Sequence, residues 1–483
     1  MTEFFSSDSW LNLAITQAND FLWTYLLIAV LIGCGIWFTW RTRFVQFSMV
    51  KEMVRLLADS TTKNLEHKQI SSFQAFAVSV ATRVGTGNLA GVATAIAIGG
   101  PGAVFWMWMI ALIGSATAFV ESTLAQLFKI RHKESFIGGP AYYMQKGMHN
   151  RWMSMLFAIL ITITFGLSYN SIQSNTICHA MNEAFGWNHL ATGIVLVVLS
   201  LSIVFGGIQR IAKVSAVVVP IMAIGYFILA FSIVIMNIQI LPHVFKVIIS
   251  NAFGLEQLTG GGIGATMMNG IKRGLFSNEA GEGSAPNVAA TASVSHPVKQ
   301  GLIQALGVFT DTLLVCSCTA FIILFSGLYT HPELNGIALT QSALQSEIGS
   351  SGPIFIAIAI FLFAFSSIIG NYYYGEANIR FIFGKNKDSQ DGKFKSILFL
   401  YRICSGGLLV IFGALASLEI VWNLGDLCMA LLTACNLVAI LTLGKYAFRL
   451  LDDYRYQKNN GIQEPTFNRS QLPEIKDNIE CWE

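Results

Sequence analysis

The chain has 483 residues, of which 54% are hydrophobic and only 12% charged, with a formal net charge of +3. So little charge excludes an ordinary water-soluble protein and describes a chain whose solvent is mostly lipid. The small cationic excess needs no nucleic-acid partner, because loops beside an anionic lipid surface account for it.

Apolar stretches long enough to cross a bilayer lie at roughly 22–40, 71–99, 102–128, 152–180, 190–208, 213–236, 262–292, 298–328, 353–383, 396–418 and 421–446. About eleven spans are expected, in an all-α polytopic membrane protein. The first follows an acidic start (Glu3, Asp8, Asp20) and is closed by Arg41 and Arg43, without a small-residue cleavage site, so it reads as a retained helix rather than a signal peptide. With that end placed outside, alternate turns fall on basic clusters: Lys51, Arg55 and Lys63; Lys129, Arg131 and Lys133; Arg210 and Lys213; Lys299; Lys385, Lys387, Lys393 and Lys395; Lys445 and Arg449. The opposite turns carry Glu183, Glu333, Glu347, Glu419 and Asp426 and few cations, Lys246 being an exception, which by the positive-inside rule puts the N-terminus outside and the C-terminus in the cytoplasm. Residues 44–58, with Phe47, Val50, Val54 and Leu57 beside Lys51 and Arg55, suit a helix lying on the cytoplasmic face. The eight cysteines show no spacing for a disulfide framework or zinc site and read as small packing residues. The tail after Leu451 reads as a short solvated extension.

Setting the first span aside leaves ten, divided by a longer connection at 237–260. The expected units are therefore 1–70 (outer N-terminus, extra helix and interfacial helix), 71–236, 237–260, 261–446 and a tail at 447–483. Each half opens with a glycine-interrupted span: ATRVGTGNLAGVA around Gly85, Gly87 and Gly91, and then GGGIGATMMNGIKRGLFSNEAGEGSAPN from Gly260 to Asn287. Five spans per half is an odd number, so the second half runs inverted. Paired breaks in the opening helices of two inverted halves are the pattern of an alternating-access carrier with its site at the midplane.

Open backbone at membrane depth is tolerated only where it lines a cavity or meets a ligand. A half-helix N-terminus offers N–H groups to an anion, and a half-helix C-terminus offers carbonyls to a cation. An amino acid together with a metal cation matches both. Glycines also serve close helix packing, but the second break carries Lys272, Arg273, Glu279 and Glu282, which are costly in lipid and so point to pairing or function. Gly85, Gly87 and Ala90 fit a dinucleotide pattern by chance only, since no βαβ unit surrounds them. Hydroxyls and amides in the third span of each half, Ser168, Tyr169, Asn170 and Gln173, then Ser366, Ser367 and Asn371, neighbour the breaks. Asp311 and Glu121 read as structural partners of basic residues without a transport role.

From roughly Phe21 to Lys445 the chain resembles the alanine or glycine:cation symporters. The resemblance is strongest in RVGTGNLAGVATAI with GGPGAVFWMW (Arg83 to Trp108), GGPAYYM (Gly138 to Met144) and KRGLFSNEAGEGSAPN (Lys272 to Asn287). That family is similar to the leucine-transporter-type fold, and Val84 to Asn88 to its V-G-x-G-N break. The resemblance implies that the amides of Thr86 and Gly87 hold the substrate carboxylate with support from Asn88. It further implies that the backbone of Gly274, Leu275, Phe276 and Ser277 faces the substrate, that Gln173 reaches it, and that Ser367 and Asn371 border it. A sodium ion, the coupling ion, would take the carbonyls of Ala81 and Val84 and the hydroxyls of Ser366 and Ser367, hard oxygens for a hard cation. Where the family commonly reads AFSTILGW, this chain reads AFSSIIGN and ends on Asn371, so a small amide replaces an aromatic wall and glutamine or asparagine is expected to bind beside alanine.

The expected function is therefore sodium-coupled import of a small neutral amino acid, with no enzymatic activity and no obligate protein partner evident. Proton coupling through Glu279 or Glu282 is the nearer alternative. A channel is the alternative from a different class, although no filter pattern is present; a nucleotide-driven pump lacks a phosphate-binding loop.

Overall fold

The computed structural model describes residues 10–62, 70–132, 135–254, 262–383 and 392–482. Lys63 and Lys133, named among the basic clusters, lie outside them, as do Lys385 and Lys387. Apart from one two-stranded hairpin the described chain is helical.

Helix α1 (Asn12–Arg41) leads to α2 (Val50–Thr62), followed by α3 (Ser72–Arg83), α4 (Gly87–Gly99) and α5 (Ala103–Leu127). Strands β1 (Ile130–His132) and β2 (Ser135–Ile137) pair antiparallel ahead of α6 (Pro140–Gly147) and α7 (Arg151–Phe185). Next come α8 (His189–Val204), α9 (Gly207–Met236), α10 (Leu241–Ala252), α11 (Gly262–Asn278) and the short α12 (Ala285–Ala289). The remainder is α13 (Pro297–Ser326), α14 (Gly336–Ile348), α15 (Ser351–Phe383), α16 (Gly392–Leu415) and α17 (Leu418–Asn459). Eight of these helices are long and apolar enough to cross a membrane, and α4 and α8 are shorter apolar helices. In lipid a helix satisfies its own backbone, which is why apolar length alone specifies these elements.

Burial sorts the helices into a core and a rim. In α5 the stretch from Gly114 to Leu127 is buried without interruption, whereas α9 shows Val217, Ile221, Ile224 and Ile228 at its surface. Large apolar side chains on the outside are the expected finish of a protein solvated by acyl chains. On α2, Val50 and Val54 are exposed while Met53 and Leu56 are buried, so this helix rests one face on protein and turns the other outward.

Two expectations are corrected. The tail is not a solvated extension: α17 continues to Asn459, and Phe467, Leu472, Ile475, Ile479 and Trp482 are buried beyond it. The Trp482 indole N–H donates to the Gln126 carbonyl at 3.1 Å, and the Phe467 N–H to that of Ser295 at 3.0 Å. Apolar anchors spaced every three to five residues made that segment dock. Asp426 is not in an exposed turn but sits buried on α17. Glu121 and Asp311 are hydrogen-bonded by amides and hydroxyls, and the buried Arg83 is the basic residue whose charge acts on both.

Candidate functional site

Helix α3 starts with a capping box, in which the Ser71 hydroxyl accepts from Gln74 N–H and the Gln74 side chain accepts from Ser71 N–H. It stops at Val84, whose ψ of 91° turns the chain extended. In an unbroken helix the Gly85 N–H would bond the Ala81 carbonyl four residues back. Instead it donates to Asn88 Oδ1 at 2.9 Å, and the Ala81 carbonyl is released.

Two hydroxyls of α15 face that released carbonyl. Ser366 Oγ lies 3.3 Å and Ser367 Oγ 2.9 Å from it, and both are also within reach of the Phe363 carbonyl, at 2.8 and 3.1 Å. A hydroxyl has one hydrogen, so once it is given to Phe363 the oxygen keeps its lone pairs for the other side. Three oxygens then converge without a formal charge among them, as a monovalent cation would require. Gly85 is what allows the approach, because a Cβ there would stand 2.4 Å from Ser367 Oγ and 3.0 Å from Gln173 Oε1.

The far side of the same break presents donors. The Thr86 N–H and hydroxyl both donate to Gln173 Oε1, at 3.0 and 2.7 Å. One oxygen thus satisfies two converging donors at the start of a half-helix, the chemistry by which a carboxylate is held. Gly87 touches the second broken helix: a Cβ on it would meet the Phe276 ring at 3.0 Å and Ser277 Cα at 3.1 Å. Asn88 Nδ2 donates to Asp311 Oδ1 at 2.6 Å and to Ser277 Oγ at 3.1 Å, while Ser277 Oγ donates to Asp311 Oδ2 at 2.6 Å.

The second interruption falls inside the expected 260–287 stretch, beyond the four residues expected to face the substrate. Backbone at Gly274, Leu275, Phe276 and Ser277 is helical, Leu275 O accepting from Glu279 N–H at 2.8 Å, and the chain opens only at Glu279. Left-handed φ at Glu279 (+56°), Gly281 (+98°) and Gly283 (+80°) makes that opening. Gly274 is a packing residue, because a Cβ there would lie 2.6 Å from Ile110 of α5. Of these four, Phe276 and Ser277 meet the first break; Phe276 also packs edge-to-face on Tyr169 and tilted against Trp422, with centroids at 4.8 and 4.9 Å. The opened loop is held by Glu121, which accepts from Gly281 N–H at 3.2 Å, and by Asn436, which donates to Gly281 O at 2.9 Å.

Asn371 lies one turn beyond Ser367 and donates to Asn170 Oδ1 at 3.1 Å; its own Oδ1 is buried without a partner among the described residues. The structure therefore gathers Ala81, Thr86, Gly87, Asn88, Gln173, Phe276, Ser277, Ser366 and Ser367 around the first break, with Val84 in its main chain, Asn371 on its border and Gly274 and Leu275 in the helix behind. The sequence reading gave Asp311 no place at the site, named Tyr169 only as a neighbour of the breaks and passed over Trp422. A lone carboxylate in an apolar span was the available signal for Asp311.

The family model described as "Sodium:alanine symporter family" matches residues 8–469. The chain is 52% identical to the "Probable sodium/glutamine symporter GlnT" of Bacillus subtilis, over 96% of this chain and 95% of that protein. It is 50% identical to the "Amino-acid carrier protein AlsT" of the same organism, over 99% and 98% of the two chains. An "Uncharacterized transporter" of Haemophilus influenzae is 47% identical over 95% and 93%.

Proposed function

The chain belongs to the sodium:alanine symporter family, as a sodium-coupled amino-acid symporter and multi-pass membrane protein rather than an enzyme, and from that premise we propose how it works. Sodium binds between the Ala81 carbonyl and the Ser366 and Ser367 hydroxyls, with the Val84 carbonyl completing the set. The substrate carboxylate takes the Thr86 N–H and hydroxyl, displacing or joining Gln173 Oε1, with the Gly87 amide beside them. The observation that carries this reading is the Ala81 carbonyl, freed by the break and faced by two hydroxyls at 3.3 and 2.9 Å. Cation and carboxylate places sit on opposite sides of one unwound turn, so each ligand stabilises the arrangement the other needs.

Halves 71–236 and 261–446, related by inverted topology, alternate access around this turn, with the N-terminus outside and the tail in the cytoplasm. A cleft of about 590 Å³ bordered by Phe136, Gly206, Tyr373, Glu376 and Arg380 opens on the same helix as the serines. Tyr373 follows Ser367 by about 9 Å along α15, at roughly 1.5 Å per residue, and with that end of α15 toward the cytoplasm the cleft serves as the inner vestibule. Import is driven by about 2.3 kcal/mol per charge at 100 mV and about 1.4 kcal/mol per tenfold sodium gradient, enough for roughly 500-fold accumulation.

The substrate is a small neutral amino acid, with glutamine and asparagine accepted beside alanine because Asn371 offers a buried, unpartnered amide oxygen where the family commonly has tryptophan. The name of the 52% identical relative points the same way. Uptake into proteoliposomes tests both parts. Saturable alanine uptake should vanish when choline replaces sodium at constant pH, and excess glutamine should compete. Uptake that persists in choline and follows an imposed pH gradient would mean proton coupling instead, and absence of competition would remove the glutamine reading.

A further inference from the structure

Asp311, on the widened turn of α13 between Phe309 and Cys316, is fully buried and forms no ion pair among the described residues. A carboxylate at membrane depth with no cation bonded to it is costly and so calls for a role. Its oxygens accept from Asn88 Nδ2 at 2.6 Å, Ser277 Oγ at 2.6 Å and the Thr312 hydroxyl at 2.9 Å. One side chain on α13 therefore holds both broken helices at once.

The consequence runs through the Asn88 amide. A carboxylate can only accept, so it dictates that Asn88 presents its NH₂ to Asp311 and, with that, its oxygen to the opposite side. That oxygen is the acceptor for Gly85 N–H at 2.9 Å. While it stays there, Gly85 N–H cannot return to the helical bond with Ala81 O, and the Ala81 carbonyl remains available to Ser366 and Ser367. We infer that Asp311 is a positioning residue for the cation site, acting through Asn88 and Gly85 to keep the Ala81 carbonyl out of its helix. This rests on the sodium reading of the Ala81, Ser366 and Ser367 oxygens given above.

The test is the sodium activation curve of alanine uptake in proteoliposomes, with sodium-dependent thermal stabilisation of the purified protein as a second readout. Asp311→Ala should raise the half-saturating sodium concentration about tenfold, the scale of one lost hydrogen bond, with a much smaller change in alanine KM at saturating sodium. Asp311→Asn should recover most of the affinity, because an amide oxygen still accepts from Asn88. Asn88→Ala should reproduce the shift, and combining it with Asp311→Ala should add little, as for residues in one chain of contacts. If Asp311→Ala does not purify as monodisperse protein, Asn88→Ala and Asp311→Asn carry the same comparison. Half-saturating sodium equal to wild type in Asp311→Ala or Asn88→Ala, or a loss confined to alanine KM, overturns the inference while leaving sodium coupling intact. A wild-type protein indifferent to sodium overturns the reading beneath it as well.

Discussion

Arg273 of α11 and Asp426 of α17 share two parallel hydrogen bonds, 2.8 Å each, inside the helix bundle. Lys272 approaches the same carboxylate at 3.3 Å, and the guanidinium lies 4.4 Å from the centre of the Trp422 ring that borders Phe276. The ion pair thus fastens the second broken helix to the last one directly beside the aromatic wall. Removing one partner strands the other charge in a medium that cannot solvate it, which typically costs 3–5 kcal/mol, about the scale expected here. Asp426→Asn should therefore lower the thermal midpoint of the detergent-solubilised protein by many degrees. A midpoint within a degree of wild type would show that water reaches the two cations.

The serine pair predicts graded effects. Ser367 Oγ is closer to the Ala81 carbonyl than Ser366 Oγ, 2.9 against 3.3 Å. Ser367→Ala should raise half-saturating sodium by about tenfold, near 1.4 kcal/mol, and Ser366→Ala by less. Sodium-titrated uptake in proteoliposomes decides it, and equal curves for both variants and wild type would refute the assignment.

Two glycines form a matched contrast. Gly85→Ala would push a methyl to 2.4 Å from Ser367 Oγ, and overpacking of this kind costs about 1–3 kcal/mol; uptake should be lost in protein that is still folded. Around Gly33, within α1, a Cβ meets nothing within 4 Å. Gly33→Ala should retain uptake and gain about 0.5–1 kcal/mol in stability from helix propensity. Normal uptake by Gly85→Ala would mean that the break relaxes more readily than its packing implies.

Glu52 ties helix α2 to the end of α17. Burial acts to raise its carboxyl, but the hydrogen bonds and charge of Arg55, with Tyr454 and Lys458, outweigh it and hold the group down at about 2, against an ordinary 4.5. Its folded-state pKa is depressed, so the stabilisation is complete above pH 4.5 and is lost as pH falls toward 2. Hydrogen exchange in 50–58 should stay slow at pH 5 and quicken at pH 3, and Glu52→Gln should exchange quickly already at pH 5. A Glu52→Gln profile that overlays wild type at pH 5 would remove the tie.

Much of the architecture was legible because lipid imposes a simple rule: apolar length spans, and polar backbone must be internally bonded. The first break was equally plain, since Gly85, Gly87 and Asn88 interrupt an otherwise apolar helix. The second was expected only somewhere between Gly260 and Asn287, because Gly274 and the Gly281–Gly283 pair look alike in a string of letters. Which glycine packs against Ile110 and which turns the chain depends on what stands opposite. The tail was misread for a related reason, as its anchors Phe467, Leu472 and Trp482 are too widely spaced to declare a surface until a partner surface is present.

The sequence alone determined that this chain lives in a membrane, where it opens, and which oxygens and amides lie within a few residues of the first opening, since those properties are local and one-dimensional. Only the tertiary structure decided that Ala81 meets residues 366 and 367, that Thr86 converges on Gln173, and that Asp311 joins Asn88 to Ser277. Those pairings join residues 34 to 286 positions apart, and a hydrogen bond reads only the few ångströms between its atoms, a distance that chain order does not encode until the helices have packed.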